Sequence, residues 1–254
     1  MSEDSCLPPE PWARRVLLLV DRIYLDRCEY DSKGGALKVP QGVLALPHPL
    51  TEIQDPIIQG ILRSGLAQPG AALIQSPVAT DLYYEAQQAR MQAVMDKWRA
   101  FRSVCAHLGA TRTEILHQEE ETDQGTVTWD GNGQYKVVKG RAKFEGGLGE
   151  TFRSKFRSCS DFSGGKADPE AAKAYASKTN LLDDFHVRDL IHNRSSRNPL
   201  QSEVVELNLA AEVQRNLTLL GEVSVPKFVG LKSEWQTESK KKYSLIVTVK
   251  LQFS

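Results

Sequence analysis

The sequence predicts an α+β fold in which a mainly antiparallel β-sheet packs with one long amphipathic helix and several short helices. Two patterns carry this prediction. Residues 243–253 alternate apolar and polar side chains, which is typical of a half-buried strand. Residues 84–108 instead repeat apolar side chains at steps of three and four, which is typical of one face of a helix. We expect antiparallel sheet to dominate residues 111–254 and helix to be more frequent before them.

The N-terminal elements follow from short apolar runs between proline-rich and glycine-rich stretches. Residues 16–25 are apolar and β-branched enough to form a strand, and residues 36–39 are its expected partner. Four prolines at positions 40–56 then interrupt regular structure. A short helix is expected over residues 51–64, with Thr51 as its cap and a kink or restart at Pro56.

The longest predicted helix follows a buried strand over residues 71–75. It begins at Thr80, a good N-cap, and ends before Gly109, a good C′ residue. A helix packed on a sheet explains its single apolar seam better than a coiled coil, because seams this short are common in ordinary domains. The residues of this face are Tyr84, Gln87, Met91, Val94, Trp98, Phe101, Cys105 and Leu108.

The C-terminal half reads as strands with helices inserted among them. Residues 119–123 are acidic and are expected to form a solvated loop, and residues 210–220 fit either a helix or a strand. Turn residues at 130–133 end one strand. The expected strands cover residues 111–118, 126–129, 205–209, 228–235 and 243–253, and the expected helices cover residues 168–177 and 181–192.

Residues 135–162 form the most distinctive pattern. Even-numbered positions are mostly apolar or small, and odd-numbered positions from 139 are mostly charged, which predicts a long amphipathic β segment. A two-residue turn on Gly146 and Gly147 alone would mix the two faces. The sequence therefore favours a hairpin with an odd-length loop over one long strand bent at the glycines.

The simplest organisation is a single domain over residues 13–254. A flexible tail over residues 1–12, acidic and proline-rich, precedes it. A sub-boundary is possible near residues 109–111, between a helical N-terminal part and a β-rich C-terminal part.

The composition excludes several classes of protein. The 254 residues carry 32 basic and 32 acidic side chains, and this balance argues against a nucleic-acid-binding protein, which usually has a basic domain or stripe. Four cysteines without a CxxC pair do not make a disulfide scaffold. The N-terminus lacks the layout of a signal peptide, so we expect a cytoplasmic location.

The expected function is that of a non-enzymatic intracellular binding or assembly protein. Its contacts would be made by the charged face of the 135–162 segment and by any unpaired sheet edge. The expected partner is another protein or a second copy of this chain. The candidate partner-binding residues are Lys139, Arg141, Lys143, Arg153, Lys155 and Arg157.

A membrane-active protein is the first alternative. Two arms of about ten residues, alternating apolar and polar, match the length of a membrane-crossing β-hairpin. The residues that would enter the membrane are Phe144, Leu148, Phe152 and Phe156. Glycine, alanine, serine and Glu150 make this apolar face thin, which favours the sheet of a folded protein over insertion.

A metal-dependent enzyme of the nuclease type is the third hypothesis. Asp31-Ser-Lys33 has the acid-x-lysine form that holds a divalent cation in such sites, but it lies in a Gly-Gly turn rather than on a strand. Gly164-Gly165-Lys166 lacks the following Ser or Thr of a phosphate loop. Cys105 lies on the apolar helix face, where a thiol acts as a small hydrophobic group. We therefore predict no catalytic residue, metal ligand or cofactor.

Overall fold

The computed structural model describes residues 7–23, 25, 39–51, 53–130, 134–140, 148–156, 159–195, 200–223 and 233–254. The chain divides into two compact units. One unit is formed by Met1–Arg90 with Glu212–Lys241, and the other by Met91–Ala211 with Lys242–Ser254. The first border falls at Arg90, inside the long helix Ala89–His107. The single domain and its possible sub-boundary near residues 109–111 stay predictions.

Helices and antiparallel sheets are both present, which confirms the predicted α+β class. The described strands are β1 (Val16–Asp21), β2 (Val43–His48), β3 (Ala72–Gln75), β4 (Tyr83–Glu85), β5 (Ala110–Thr122), β6 (Gly125–Asp130), β7 (Tyr135–Gly140), β8 (Cys159–Asp161), β9 (Ser202–Asn208) and β10 (Tyr243–Phe253). The described α-helices are α1 (Pro56–Arg63), α2 (Ala89–His107), α3 (Leu148–Lys155), α4 (Pro169–Lys178), α5 (Phe185–Ser195), α6 (Ala211–Gly221) and α7 (Ser233–Lys240).

The first unit contains a sheet with the strand order β2-β1-β3-β4. Strand β1 pairs in parallel with β2 and antiparallel with β3. The expected pairing of residues 16–25 with residues 36–39 is wrong at Val39, which is not in a strand. Residues 36–38 lie outside the described residues. Pro47 is tolerated in β2 because this strand is at the edge of the sheet.

The start of the predicted 80–108 helix is also wrong. Tyr83 and Tyr84 pair with Gln75 and Ile74 as strand β4, and the helix begins only at Ala89. The Tyr83 hydroxyl donates to the Arg14 carbonyl at 2.8 Å, so tertiary contacts outweigh the local helical spacing. The predicted end is confirmed, since Gly109 follows α2 with a φ of 75°.

Two other boundaries in the first unit also differ from the prediction. Asp55, not Thr51, caps α1, accepting a hydrogen bond from the Ile57 amide at 2.8 Å. Leu7 is buried in the core cluster with Leu17 and Leu19, so the predicted tail is ordered from Leu7 onward; residues 1–6 lie outside the described residues.

The second unit contains a larger antiparallel sheet with the order β7-β6-β5-β10-β9, and β8 pairs with β5. The predicted terminal strand is confirmed, because alternate residues of β10 from Leu245 to Phe253 are buried. The acidic run 119–123 is not a loop. Strand β5 continues through Thr122, because β10 pairs along it as far as the Tyr243–Thr122 pair.

The prediction of a β-hairpin over residues 135–162 is wrong for this structure. The segment contains strand β7, helix α3 and the short strand β8. Leu148, Phe152 and Phe156 are spaced by four residues, a spacing that both a strand face and a helix face satisfy. Helix α3 also has an acid in its first turn and two bases in its last, which suits the helix dipole.

The elements predicted between residues 168 and 235 agree with the structure only in part. Asp168 caps α4 as expected, accepting from the Ala171 amide at 2.9 Å. The single helix expected over 181–192 is a 3₁₀ turn followed by α5. Residues 211–221 are helical, and Trp235 lies in α7 rather than in a strand; residues 224–232 lie outside the described residues. No helix among the described residues is long and apolar enough to cross a membrane.

Candidate binding site at a sheet edge

The predicted cationic residues do not form one β face. Lys139 pairs with Thr126, which faces away from the buried side of β6 because its neighbour Val127 is buried. Arg153 lies on the other side of this sheet, with its Cζ 5.6 Å from the centre of the Trp129 ring. Lys155 is exposed on α3. A role of these residues in partner binding stays a prediction. Arg141, Lys143 and Arg157 lie outside the described residues.

The residues proposed to enter a membrane are largely packed inside the second unit. Phe152 is fully buried, and its ring centre lies 5.7 Å from that of Trp98. Phe156 lies 5.1 Å from Phe152 and is half-buried, as is Leu148. Phe144 lies outside the described residues. The described apolar side chains of α3 therefore pack within the second unit rather than facing outward.

A buried polar pair seats helix α3 on the sheet. Gln118 and Glu120 of β5 are each only 1% exposed. A Cβ atom at Gly149 would lie 2.5 Å from Glu120 Oε2 and 2.6 Å from Gln118 Nε2, so any other residue there would displace these two side chains. Burial raises the pKa of Glu120, and the neighbouring backbone amides of Gly149 and Leu148 and the Tyr243 side chain offset this only in part. This pair positions α3 but offers no group to solvent.

The enzyme hypotheses gain no support from the described residues. Burial raises the pKa of the Cys105 thiol, which keeps it protonated and unreactive. Asp21 is exposed at the end of β1, and the Asp31-Ser-Lys33 element lies outside the described residues. Within the part of the chain that the structure describes, no group of three or more His, Cys, Asp or Glu side chains could hold a metal ion.

Among the described strands, the sheet edges other than β9 carry features that discourage a further strand. Strand β2 contains Pro47, and β4 and β8 are only three residues long. Strand β7 has a register shift opposite Thr126 and Val127, and it exposes Lys136 and Lys139. Prolines, short edges, bulges and exposed lysines are the devices by which proteins prevent edge-to-edge pairing.

The remaining edge, β9, contains no proline, bulge or lysine. Its seven residues pair with β10 in an unbroken register from Ser202–Gln252 to Asn208–Ile246. The sequence Ser-Glu-Val-Val-Glu-Leu-Asn contains no proline, glycine, lysine or arginine. Val204, at its centre, is 56% exposed. This strand is regular enough to act as a template for another strand.

Two hydrogen bonds establish which backbone groups of β9 face outward. Leu209 donates to the Leu245 carbonyl at 2.8 Å, and Phe253 donates to the Gln201 carbonyl at 2.9 Å. Hydrogen-bonded pairs alternate along an antiparallel ladder, so the odd-numbered residues of β9 bond to β10. The even-numbered residues therefore present their amides and carbonyls at the outer edge.

The outward backbone groups of β9 are hydrogen-bonded at one end of the strand and not in its middle, among the described residues. The Asn208 carbonyl accepts a hydrogen bond from the buried Lys97 ammonium at 2.8 Å. The outward amides and carbonyls of Val204 and Glu206 have no hydrogen-bond partner among the described residues. An extended chain could bond to both residues, since two-residue spacing is the repeat of an antiparallel ladder.

Acidic groups lie beside this edge, on the side of the sheet that carries α5. Glu203 shares the face of the buried Val205 and Leu207, and its Oε2 atom is buried without a hydrogen-bond partner among the described residues. Burial raises the pKa of Glu203, Asp189 of α5 raises it further, and His186 lowers it. The edge therefore has an electronegative end.

Sequence reasoning named an unpaired sheet edge as a candidate but could not say which one. The alternation of Val205, Leu207 and Leu209 predicted the strand, and the absence of lysine and proline within it was visible. A comparison of the chain with protein-family models, curated proteins and solved structures found no match.

Proposed function

We propose that this protein binds an extended segment of another protein by adding it as a strand to the outer edge of β9. The observation that carries the proposal is the regular register of β9, which leaves the backbone groups of Val204 and Glu206 directed outward and unpaired among the described residues. In strand addition, main-chain hydrogen bonds supply affinity and alternate side chains supply specificity.

The packing of β9 supports this role. Val205 and Leu207 are buried on its inner face, so the strand is held in place before a partner arrives. A preformed template lowers the entropy lost on binding, because only the partner has to be ordered. The other edge of the same sheet, β7, is interrupted by a register shift and lined by two lysines, and it lacks this regularity.

The test uses the full chain and a panel of fluorescein-labelled decapeptides that alternate threonine and valine. The panel members differ at one position, which carries Lys, Gln or Glu. Fluorescence anisotropy measures their affinity for the wild type and for the Val204→Pro variant. Proline at an outward position removes an edge N–H without removing a bond to β10, so the fold should be retained.

We expect at least one peptide to bind the wild type and to lose about tenfold or more in affinity for Val204→Pro, because one hydrogen bond is lost and the proline ring obstructs the edge. Val204→Thr is the matched control, since it keeps the N–H and the β-branched shape. Equal binding to Val204→Pro and Val204→Thr, or no binding by any peptide, would contradict the proposal.

A further inference from the structure

The acidic end of the β9 edge specifies the chemistry of the partner. This inference rests on strand addition at β9 and goes further by naming the side chain that the partner must carry. Glu203 lies on the inner face of the strand, and its Oε2 atom is buried without a hydrogen-bond donor among the described residues. A strand added to β9 would place one of its side chains about 5 Å from Glu203, at a directly opposite position.

An incoming strand would also remove the remaining water from this carboxylate. A buried charge without a partner is unfavourable, whereas a cation that donates to it compensates for the lost water. Asp189 adds a second negative charge, since it already raises the pKa of Glu203. A neutral side chain opposite Glu203 would leave two acidic groups uncompensated in a drier site.

Among the described residues, no cation forms an ion pair with Glu203. Lys97 donates to the Asn208 carbonyl and lies 3.7 Å from Asp184, so its ammonium is engaged at the other end of β9. His186 is the basic group that acts on Glu203, and its side chain is exposed. The positive charge beside the Glu203 carboxylate therefore has to come from the partner.

The same argument disfavours a second copy of β9 as the occupant. Its residues include two glutamates and neither lysine nor arginine. Pairing two β9 strands would bury Glu203 of both copies without supplying a cation to either one. An inward-pointing charge on an edge strand is a known device against self-pairing.

We infer that β9 selects a basic extended segment of a partner protein, with a lysine or arginine placed beside Glu203 and Asp189. The neighbouring inward positions of that segment lie beside Val205 and Leu207, so they suit apolar or β-branched side chains. The backbone groups of Val204 and Glu206 bind the backbone of the segment. The carboxylates of Glu203 and Asp189 select its basic side chain.

The experiment moves a single lysine through successive positions of the alternating threonine–valine decapeptide and measures affinity by fluorescence anisotropy. Glutamine and glutamate peptides are compared at each position. We expect one position at which lysine binds about tenfold more tightly than glutamine, because the hydrogen bond is charge-assisted. Glu203→Gln should remove most of this preference, and Asp189→Asn should reduce it. Glu121→Gln, an exposed change of the same charge on β5, should leave it unchanged.

The outcomes separate this inference from the proposed function. If glutamine and lysine peptides bind equally at every position and Val204→Pro weakens both, strand addition stands and the selection of a basic partner is wrong. If no peptide distinguishes Val204→Pro from Val204→Thr, strand addition itself is wrong. Sedimentation equilibrium tests the remaining occupant: a wild-type dimer that becomes monomeric with Val204→Pro would identify a second copy of the chain and overturn the inference.

Discussion

Strands β7 and β9 are the two edges of one sheet, yet they expose different surfaces. Strand β7 is interrupted by a register shift and exposes Lys136 and Lys139. Strand β9 keeps its register throughout and exposes Glu206, and its other glutamate, Glu203, lies on the inner face. The two edges therefore differ in the regularity of their register and in the sign of their exposed charge.

The two edges also differ in how firmly they are anchored. Leu207 on the inner face of β9 is 1% exposed, whereas Val137, which pairs with the buried Val127 on the inner face of β7, is only half-buried. A strand that serves as a template must keep its shape when the partner is absent, and burial of its inner face achieves this. The comparison yields three predictions, of decreasing expected effect.

Truncating the inner face of β9 should have the largest effect on stability. Leu207→Ala should lower the free energy of unfolding by about 2–5 kcal/mol, because it removes buried methyl groups and leaves a cavity. Val137→Ala, at the inward position of β7, should lower it by less, because Val137 is only half-buried. Urea denaturation followed by circular dichroism measures both. Similar losses for the two variants would show that the inner face of β9 is no better anchored than that of β7.

Transferring a protective lysine from one edge to the other should have an intermediate effect on binding. Val204→Lys should weaken binding of the lysine-containing peptide by about three- to tenfold, because it adds a positive charge at the open edge. Val138→Lys makes the same change on β7 and should leave the affinity unaltered. Anisotropy titrations at low and physiological salt measure the difference. Weaker binding to Val138→Lys than to Val204→Lys would show that the peptide binds at β7 rather than at β9.

The smallest effect concerns the pH dependence of stability. The raised pKa of Glu203 means that the folded state holds this proton more tightly than the unfolded state, whose pKa is about 4.3. The contribution of Glu203 to the free energy of unfolding is therefore fully present below the pKa of the unfolded state. It is lost as the pH rises through the pKa of the folded state.

Glu203→Gln should therefore raise the free energy of unfolding at pH 8 relative to the wild type, and the gain should shrink toward pH 4. Urea denaturation at the two pH values measures it, with the exposed Glu121→Gln as control. A gain that is equal or larger at pH 4 would contradict the cause assigned here to the pKa of Glu203.

Much of the fold could be predicted from local pattern. Strand β10 alternates half-buried and buried residues from Ser244 to Phe253, and Asp168 caps α4 with its own side chain. These elements depend on residues close in sequence. Helix α3 was missed because a spacing of four fits both a strand and a helix, and its docking on Gln118 and Glu120 depends on residues about thirty positions away.

The candidate site was predictable only in part. Local alternation predicted β9, but its place at the sheet edge depends on the pairing order, which joins distant segments. The cationic face illustrates the same limit. Lys139 and Arg153 have the same parity in sequence, but Lys139 lies on strand β7 and Arg153 on helix α3, and they lie on opposite sides of the sheet.

Residue-resolved amide hydrogen exchange in the free protein tests the central claim most directly. The outward amides of Val204 and Glu206 should exchange rapidly, while those of Glu203, Val205 and Leu207, bonded to β10, should be protected. Adding a bound peptide from the panel should then protect Val204 and Glu206. Strong protection of Val204 and Glu206 in the free protein would contradict an open β9 edge.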